Sequence, residues 1–193
     1  NQFDSIVVST DDSEIAAISM SYGADVPFER PCELADDFAG TVEVIAHAIN
    51  ECEKDGLKPE KVCCIYPCVP LIQAKDILNT LKLLETNRDA DYAFPVTEFP
   101  SAIQRGLKRH RNGRLSSIYP ENEKMRTQDL ESAYYDVGQF YWGYRDAWLT
   151  NTAIHNNGLG YVIPSWRAVD IDTPDDWARA ELLFKFLRPK EAE

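Results

Sequence analysis

The chain has 193 residues, 44% of them hydrophobic and 27% charged, with a formal net charge of −12. That length and balance suit one globular domain with a buried core. The acidic charge excludes a nucleic-acid scaffold, and no apolar run approaches the ~20 residues needed to span a bilayer.

In chain order, Phe3-Asp4-Ser5-Ile6-Val7-Val8-Ser9 reads as a strand, and Thr10-Asp11-Asp12 as the turn and N-cap of a helix that runs to Gly23. Phe28-Glu29 reads as the end of a further short strand. Val42, Ile45, Ala46 and Ile49 recur at helical spacing over residues 41–53. Val62-Cys63-Cys64-Ile65-Tyr66 is a continuous apolar run, as expected of a strand covered on both faces. Ile77, Leu78, Leu81 and Leu84 mark another amphipathic helix, and Tyr92-Ala93-Phe94-Pro95-Val96 another strand. This alternation predicts an α/β fold with a mostly parallel central sheet, in which ligands sit beyond the C-terminal ends of strands. Residues 99–145 break the rhythm as a polar, Arg- and Lys-rich insert that closes on the aromatic strand Gly138-Gln139-Phe140-Tyr141-Trp142-Gly143-Tyr144. We expect a single domain over residues 1–193, with the insert inside it.

The most specific local pattern is Ala168-Val169-Asp170-Ile171-Asp172-Thr173-Pro174. On a strand, Asp170 and Asp172 would share one face while Val169 and Ile171 share the other. Thr173 then reads as an N-cap and Pro174 as the first residue of a helix. Two carboxylates so placed are hard oxygen ligands suited to Mg²⁺ on phosphate oxygens; such acids can also simply cap the helix that follows.

Other residues carry weaker signals. Arg30 reads either as a bidentate phosphate ligand or as a surface partner of Glu29 or Glu33. Asp36-Asp37-Phe38-Ala39-Gly40-Thr41 ends on a helix N-terminus, which is either an anion site or a plain cap. The basic stretch from Gln104 to Arg111 reads as a receptor for an acidic sugar or phosphate, or as a solvated loop. The aromatic residues 134–144 read as a partner surface or as core. The five cysteines are odd in number and lack a C-x-x-C pair, which argues against a disulfide framework or a zinc site and fits a reducing cytoplasm.

Taken in order, Ser9-Thr10-Asp11-Asp12, then residues 23–37 with Phe28-Glu29-Arg30-Pro31, then Tyr66-Pro67-Cys68-Val69-Pro70-Leu71-Ile72, then Asp170-Ile171-Asp172-Thr173 resemble the CMP-sugar-acid (nonulosonic acid) cytidylyltransferases across nearly the whole chain. Arg126-Thr127-Gln128-Asp129-Leu130, with residues 134–143, looks most like the branch that acts on pseudaminic acid. The sialic-acid branch carries Gln-Pro-Thr-Ser-Pro-Leu-Arg and Arg-Pro-Asn-Gly at the corresponding places.

The resemblance implies a Rossmann-like, GT-A-like nucleotidyltransferase fold with an inserted dimerisation segment, and hence a homodimer. It implies CTP and a nine-carbon acidic sugar as substrates, giving CMP-sugar and pyrophosphate for surface-glycan or flagellin glycosylation. Asp170 and Asp172 would be the catalytic metal ligands for Mg²⁺. Arg30 and Thr41 would contact the nucleotide. Tyr66, Gln104, Arg126, Gln128 and Gln139 would line the sugar side. The family also carries a strand and a Gly- and Lys/Arg-rich phosphate loop that this chain lacks. The resemblance therefore implies that the 193 residues begin at the family's second strand and are inactive alone. Alternatives are a CMP-sialic acid synthetase, a nucleotide-sugar glycosyltransferase with its own Asp-x-Asp metal pair, and a non-catalytic homologue that acts as a binding partner.

Overall fold

A computed structural model describes residues 2–36, 38–150 and 152–187; Asp37, part of the stretch before Thr41, lies outside them. The elements are α1 (Ser13–Ser21), α2 (Thr41–Lys54), β1 (Lys61–Ile65), α3 (Ala74–Thr86), β2 (Tyr92–Glu98), β3 (Leu107–Arg109), β4 (Leu115–Ser117), β5 (Tyr134–Asp136), β6 (Phe140–Tyr144), α4 (Arg145–Leu149), β7 (Gly158–Val162) and α5 (Pro174–Leu187). They fall into two compact units.

The first unit holds the residues through Ile65, Ile77–Phe94 and Phe140–Leu159. Its first helix starts where a side chain takes up free amides: Asp12 Oδ1 accepts from Glu14 N at 2.7 Å and Ile15 N at 2.9 Å to cap α1. α1 then ends at Gly23, whose φ of 88° is open to glycine without strain. The core is built on β6, with Phe140, Tyr141 and Trp142 all buried. Trp142 Nε1 donates to the Ile77 carbonyl at 2.9 Å, and Tyr92 meets Trp148 edge to face at 4.9 Å. β6 must pass very close to these rings. A Cβ on Gly143 would come within 2.5 Å of Trp148 Nε1 and 2.6 Å of Tyr92 Cδ1. Arg145, just past β6, forks onto both carboxylate oxygens of Glu53 and so ties α4 to α2.

The second unit holds Tyr66–Asp76, Pro95–Gln139 and the residues from Gly160 onward. Here the last residues of β2 pair with β5, Val96 opposite Asp136 and Glu98 opposite Tyr134. β3 and β4 form a separate hairpin. A small apolar core gathers Leu71, Val169 and Ala180, with Ile171, Leu183 and Leu187 packed against it.

The α/β class and the helices agree with the sequence reading, but the strands differ in three ways. First, the sheet is not mostly parallel in the ladders described: β6 runs antiparallel to both β1 and β2. β1 and β2 do run in a common direction, as a βαβ unit requires, but the aromatic strand returning from the insert lies between them in the reverse sense. Second, residues 5–9 do not form a ladder. Val7 makes a single parallel bridge to Asp25, closed by Asp25 N to the Ile6 carbonyl at 2.8 Å and Val8 N to the Asp25 carbonyl at 2.9 Å. Pro27, two residues on, has no N–H to continue it, and Phe28-Glu29 is likewise outside any strand. Third, residues 168–172 lie outside every described strand. The rings of β6 are core rather than a partner surface, whereas Tyr134 is 49% exposed.

Candidate active site

The two carboxylates singled out by the sequence lie in the second unit. Although the segment pairs with no strand, its alternation is preserved. Val169 is 4% exposed, Ile171 packs on the same apolar cluster, and Asp170 and Asp172 are exposed. Burying the two apolar side chains turns the acids outward, so the period-two logic survives without a ladder. Neither carboxylate accepts a hydrogen bond from the described residues. The Asp172 amide instead donates to Asp176 Oδ2 at 3.4 Å.

The helix start is as expected, with a reciprocal cap added to it. Thr173 Oγ1 accepts from Asp176 N at 3.2 Å, while Asp176 Oδ2 accepts from Thr173 N at 3.0 Å and from Thr173 Oγ1 at 2.7 Å. This is a capping box with aspartate in the fourth position. The Thr173 hydroxyl bond holds the Asp176 carboxyl below its ordinary range. The helix is therefore capped by Thr173 and Asp176, and capping does not use Asp170 or the Asp172 carboxylate. Among the described residues no group of three or more His, Cys, Asp or Glu side chains gathers. Two free carboxylates with open coordination nonetheless fit Mg²⁺, which is typically held by one or two carboxylates plus phosphate oxygens and water.

Among the residues that the resemblance assigns to the sugar, the Tyr66 amide donates to the Gln139 carbonyl at 3.0 Å. Gln139 is itself buried, and its Nε2 donates to the Arg167 carbonyl at 2.7 Å. Gln104 Nε2 donates to the Glu131 carbonyl at 3.0 Å, leaving a buried Oε1 with no partner among the described residues. Arg126 is exposed and forks onto Asp129 at 2.7 and 3.0 Å, and Gln128 lies exposed in the same turn. Arg105, in the basic stretch, is already committed to the Glu123 and Met125 carbonyls.

Arg30 and Thr41, which the resemblance assigns to the nucleotide, belong to the first unit. Arg30 donates to the Ser9 carbonyl through Nη2 and to Ser9 Oγ through Nε at 3.1 Å. Thr41 opens α2 behind Gly40. Asp36 Oδ1 gathers the Phe38 and Ala39 amides at 2.9 and 2.8 Å just before it. Burial pushes the Cys64 thiol up to about 12 and Cys63 higher still, so these two remain thiols.

One feature of the second unit escaped the sequence reading. Arg167 and Asp76, both nearly inaccessible, form an ion pair between Arg167 Nη1 and Asp76 Oδ2. They are 91 residues apart, and nothing in either local sequence marks the pairing.

The described architecture is that of an α/β nucleotidyltransferase. It is similar to a solved CMP:2-keto-3-deoxy-manno-octonic acid synthetase complexed with CTP, with a TM-score of 0.61 at 14% identity over 94% of this chain and 81% of that one. In sequence, residues 1–147 match the family model described as Cytidylyltransferase. The pseudaminic acid cytidylyltransferase of Campylobacter jejuni serotype O:2 is 35% identical over 184 residues, covering 95% of this chain and 79% of that protein. N-acylneuraminate cytidylyltransferase B of Danio rerio is 29% identical over 182 residues, covering 92% and 41%. The chain belongs to the cytidylyltransferase family. No helix among the described residues is long and apolar enough to cross a membrane.

Proposed function

We propose that this protein transfers CMP from CTP to a nine-carbon acidic sugar, with pseudaminic acid as the preferred acceptor, and releases pyrophosphate. The observation that carries the reading is the pair Asp170 and Asp172. Both carboxylates are exposed and accept no hydrogen bond from the described residues, on a segment whose apolar side chains are packed, in a chain 35% identical to pseudaminic acid cytidylyltransferases. The residues of the sialic-acid branch are absent from the stretches that distinguish the sugar.

The sugar's anomeric hydroxyl attacks the α-phosphorus in line, and pyrophosphate departs with the bridging oxygen. Positioning and charge stabilisation supply most of such catalysis. Asp170 and Asp172 would hold Mg²⁺, which when bound lowers the pKa of the attacking hydroxyl and offsets the phosphate charge. Arg30 offers its guanidinium and Thr41 the start of α2 to the nucleotide. Tyr66, Gln104, Arg126 and Gln128 serve the sugar acid. The buried Gln104 Oε1, unpartnered among the described residues, is suited to accept from an acyl-amino N–H or a hydroxyl. Gln139 is left out of that set, because its amide is already used on Arg167. The exposed apolar side chains of the hairpin, Leu107 and Leu115, support a homodimer formed through the insert, and the setting for such a biosynthetic step is the cytoplasm.

The test is pyrophosphate release by the full-length gene product with CTP, Mg²⁺ and either acid. Faster release with pseudaminic acid than with N-acetylneuraminic acid supports the assignment. The reverse ranking would make it a sialic-acid enzyme, and no release with either would remove the reading.

A further inference from the structure

The segment that presents Asp170 and Asp172 is held at both ends and in the middle. At its C-terminal end is the capping box of Thr173 and Asp176. In the middle are Val169 and Ile171, packed on Leu71, Ala180, Leu183 and Leu187. At its N-terminal end is Arg167, whose side chain pairs with Asp76 while its carbonyl accepts from Gln139 Nε2 at 2.7 Å. Gln139 in turn accepts from the Tyr66 amide at 3.0 Å through its own carbonyl. One chain of polar contacts, buried from Gln139 onward, therefore runs from Tyr66 through Gln139 and Arg167 to Asp76.

A buried ion pair of this kind is a poor device for stability. Both side chains are desolvated, to 5% and 3% exposure, and an apolar pair of similar volume often does as well or better. What such a pair supplies is direction. A guanidinium must meet its carboxylate in a narrow geometry, and an unpaired charge at this depth is costly, which rules out slipped arrangements. Asp76 lies in the first turn of α3, where the helix dipole favours a carboxylate, so the anchor is rigid. From this anchor the backbone reaches Asp170 in three residues.

We infer that Arg167 and Asp76 are positioning residues for the Asp170–Asp172 carboxylates, with Gln139 as the link that fixes the Arg167 backbone. The pair touches no substrate. It sets where the acidic segment begins and thereby how its two free carboxylates are offered to a divalent cation. This inference rests on the proposed function for the identity of what is positioned, and on the geometry alone for the positioning itself.

The test compares the full-length protein with an Asp76→Leu/Arg167→Met double variant and with Arg167→Lys. Three quantities are read: the melting temperature, amide hydrogen exchange over residues 168–172, and the Mg²⁺ concentration for half-maximal pyrophosphate release. Removing both charges together leaves no unpaired ion, so the double variant should melt within a few degrees of the parent. Its 168–172 amides should exchange about tenfold faster, and its Mg²⁺ requirement should rise about tenfold, the scale seen when groups behind metal ligands are lost. Arg167→Lys, which keeps the charge but not the fork, should lie between. Parental exchange in the double variant would overturn the inference, as would faster exchange with a parental Mg²⁺ requirement. If the double variant no longer melts cooperatively, the same two outcomes are read on Arg167→Lys. If the parent protein releases no pyrophosphate with any acidic sugar, the proposed function fails, and the exchange measurements alone decide the positioning.

Discussion

Two stretches of the second unit are written in similar letters and fold to opposite ends. In the acidic segment, Val169 and Ile171 alternate with Asp170 and Asp172; in the hairpin, Leu107 and Leu115 stand among Lys108, Arg109 and serines. Val169 is 4% exposed, while Leu107 and Leu115 are 57% and 59% exposed. The acidic segment has no strand partner yet is fixed, because its apolar side chains have a core to enter and its ends have polar anchors. The hairpin has full backbone pairing, Leu107 opposite Ser117 and Arg109 opposite Leu115, yet both its leucines stay more than half exposed. Backbone hydrogen bonds alone leave a two-stranded ribbon marginal; burial decides which groups are held and which are offered.

The contrast breaks most visibly at Asp170. Asp170→Asn should lower turnover by about 10²–10³-fold, the several kcal/mol of charge stabilisation a ligated metal supplies. The melting temperature should not move, since the carboxylate is exposed and accepts no hydrogen bond from the described residues. Near-parental turnover in steady-state assays would take Asp170 out of the site. Next in size is Val169→Ala, which removes two buried carbons from the anchor and should cost about 2 kcal/mol in denaturant unfolding. A cost near zero would show that burial does not hold the segment.

Thr173→Ala should cost about 1 kcal/mol by the same measurement, through loss of the N-cap hydroxyl. Its pH dependence has a definite sign. The Thr173 hydroxyl bond lowers the Asp176 carboxyl from its ordinary 3.8. Asp176 therefore contributes stability that is present above the ordinary value and is lost as pH falls through the lowered one. The gap between parent and Thr173→Ala should stay constant near neutrality and close only in acid. A gap that widens in acid would remove the capping box as its cause.

Much of this was legible beforehand. The helical spacing over residues 41–53, the strands at residues 62–66 and 92–96, and the Thr173-Pro174 helix start all follow from local period and cap chemistry. So did the outward turn of Asp170 and Asp172, though for a different reason than expected: a core beneath Val169 and Ile171 replaced the missing ladder. What failed was everything that depends on distant partners. The single bridge at Val7 is limited by Pro27, and the antiparallel sense of β6 depends on how the insert returns. The pairing of Arg167 with Asp76 joins two residues whose neighbours give no hint of each other. The resemblance assigned Gln139 to the sugar, and the bond from its amide to the Arg167 carbonyl likewise joins residues distant in sequence.

The smallest effect on folding, and the one that sharpens the contrast most, is expected in the hairpin. Leu107→Ser/Leu115→Ser should change the unfolding free energy by no more than about 0.5 kcal/mol, as for surface positions generally, because those side chains have little to lose from the fold of one chain. If the insert joins two copies, the same double variant should shift light scattering from dimer to monomer, since the apolar area that a second chain would cover is gone. An unchanged dimer would place the interface elsewhere, and a monomeric parent would remove it. A large loss of stability would mean that the leucines are buried within one chain. In that case the hairpin, like the acidic segment, would be held by its apolar side chains.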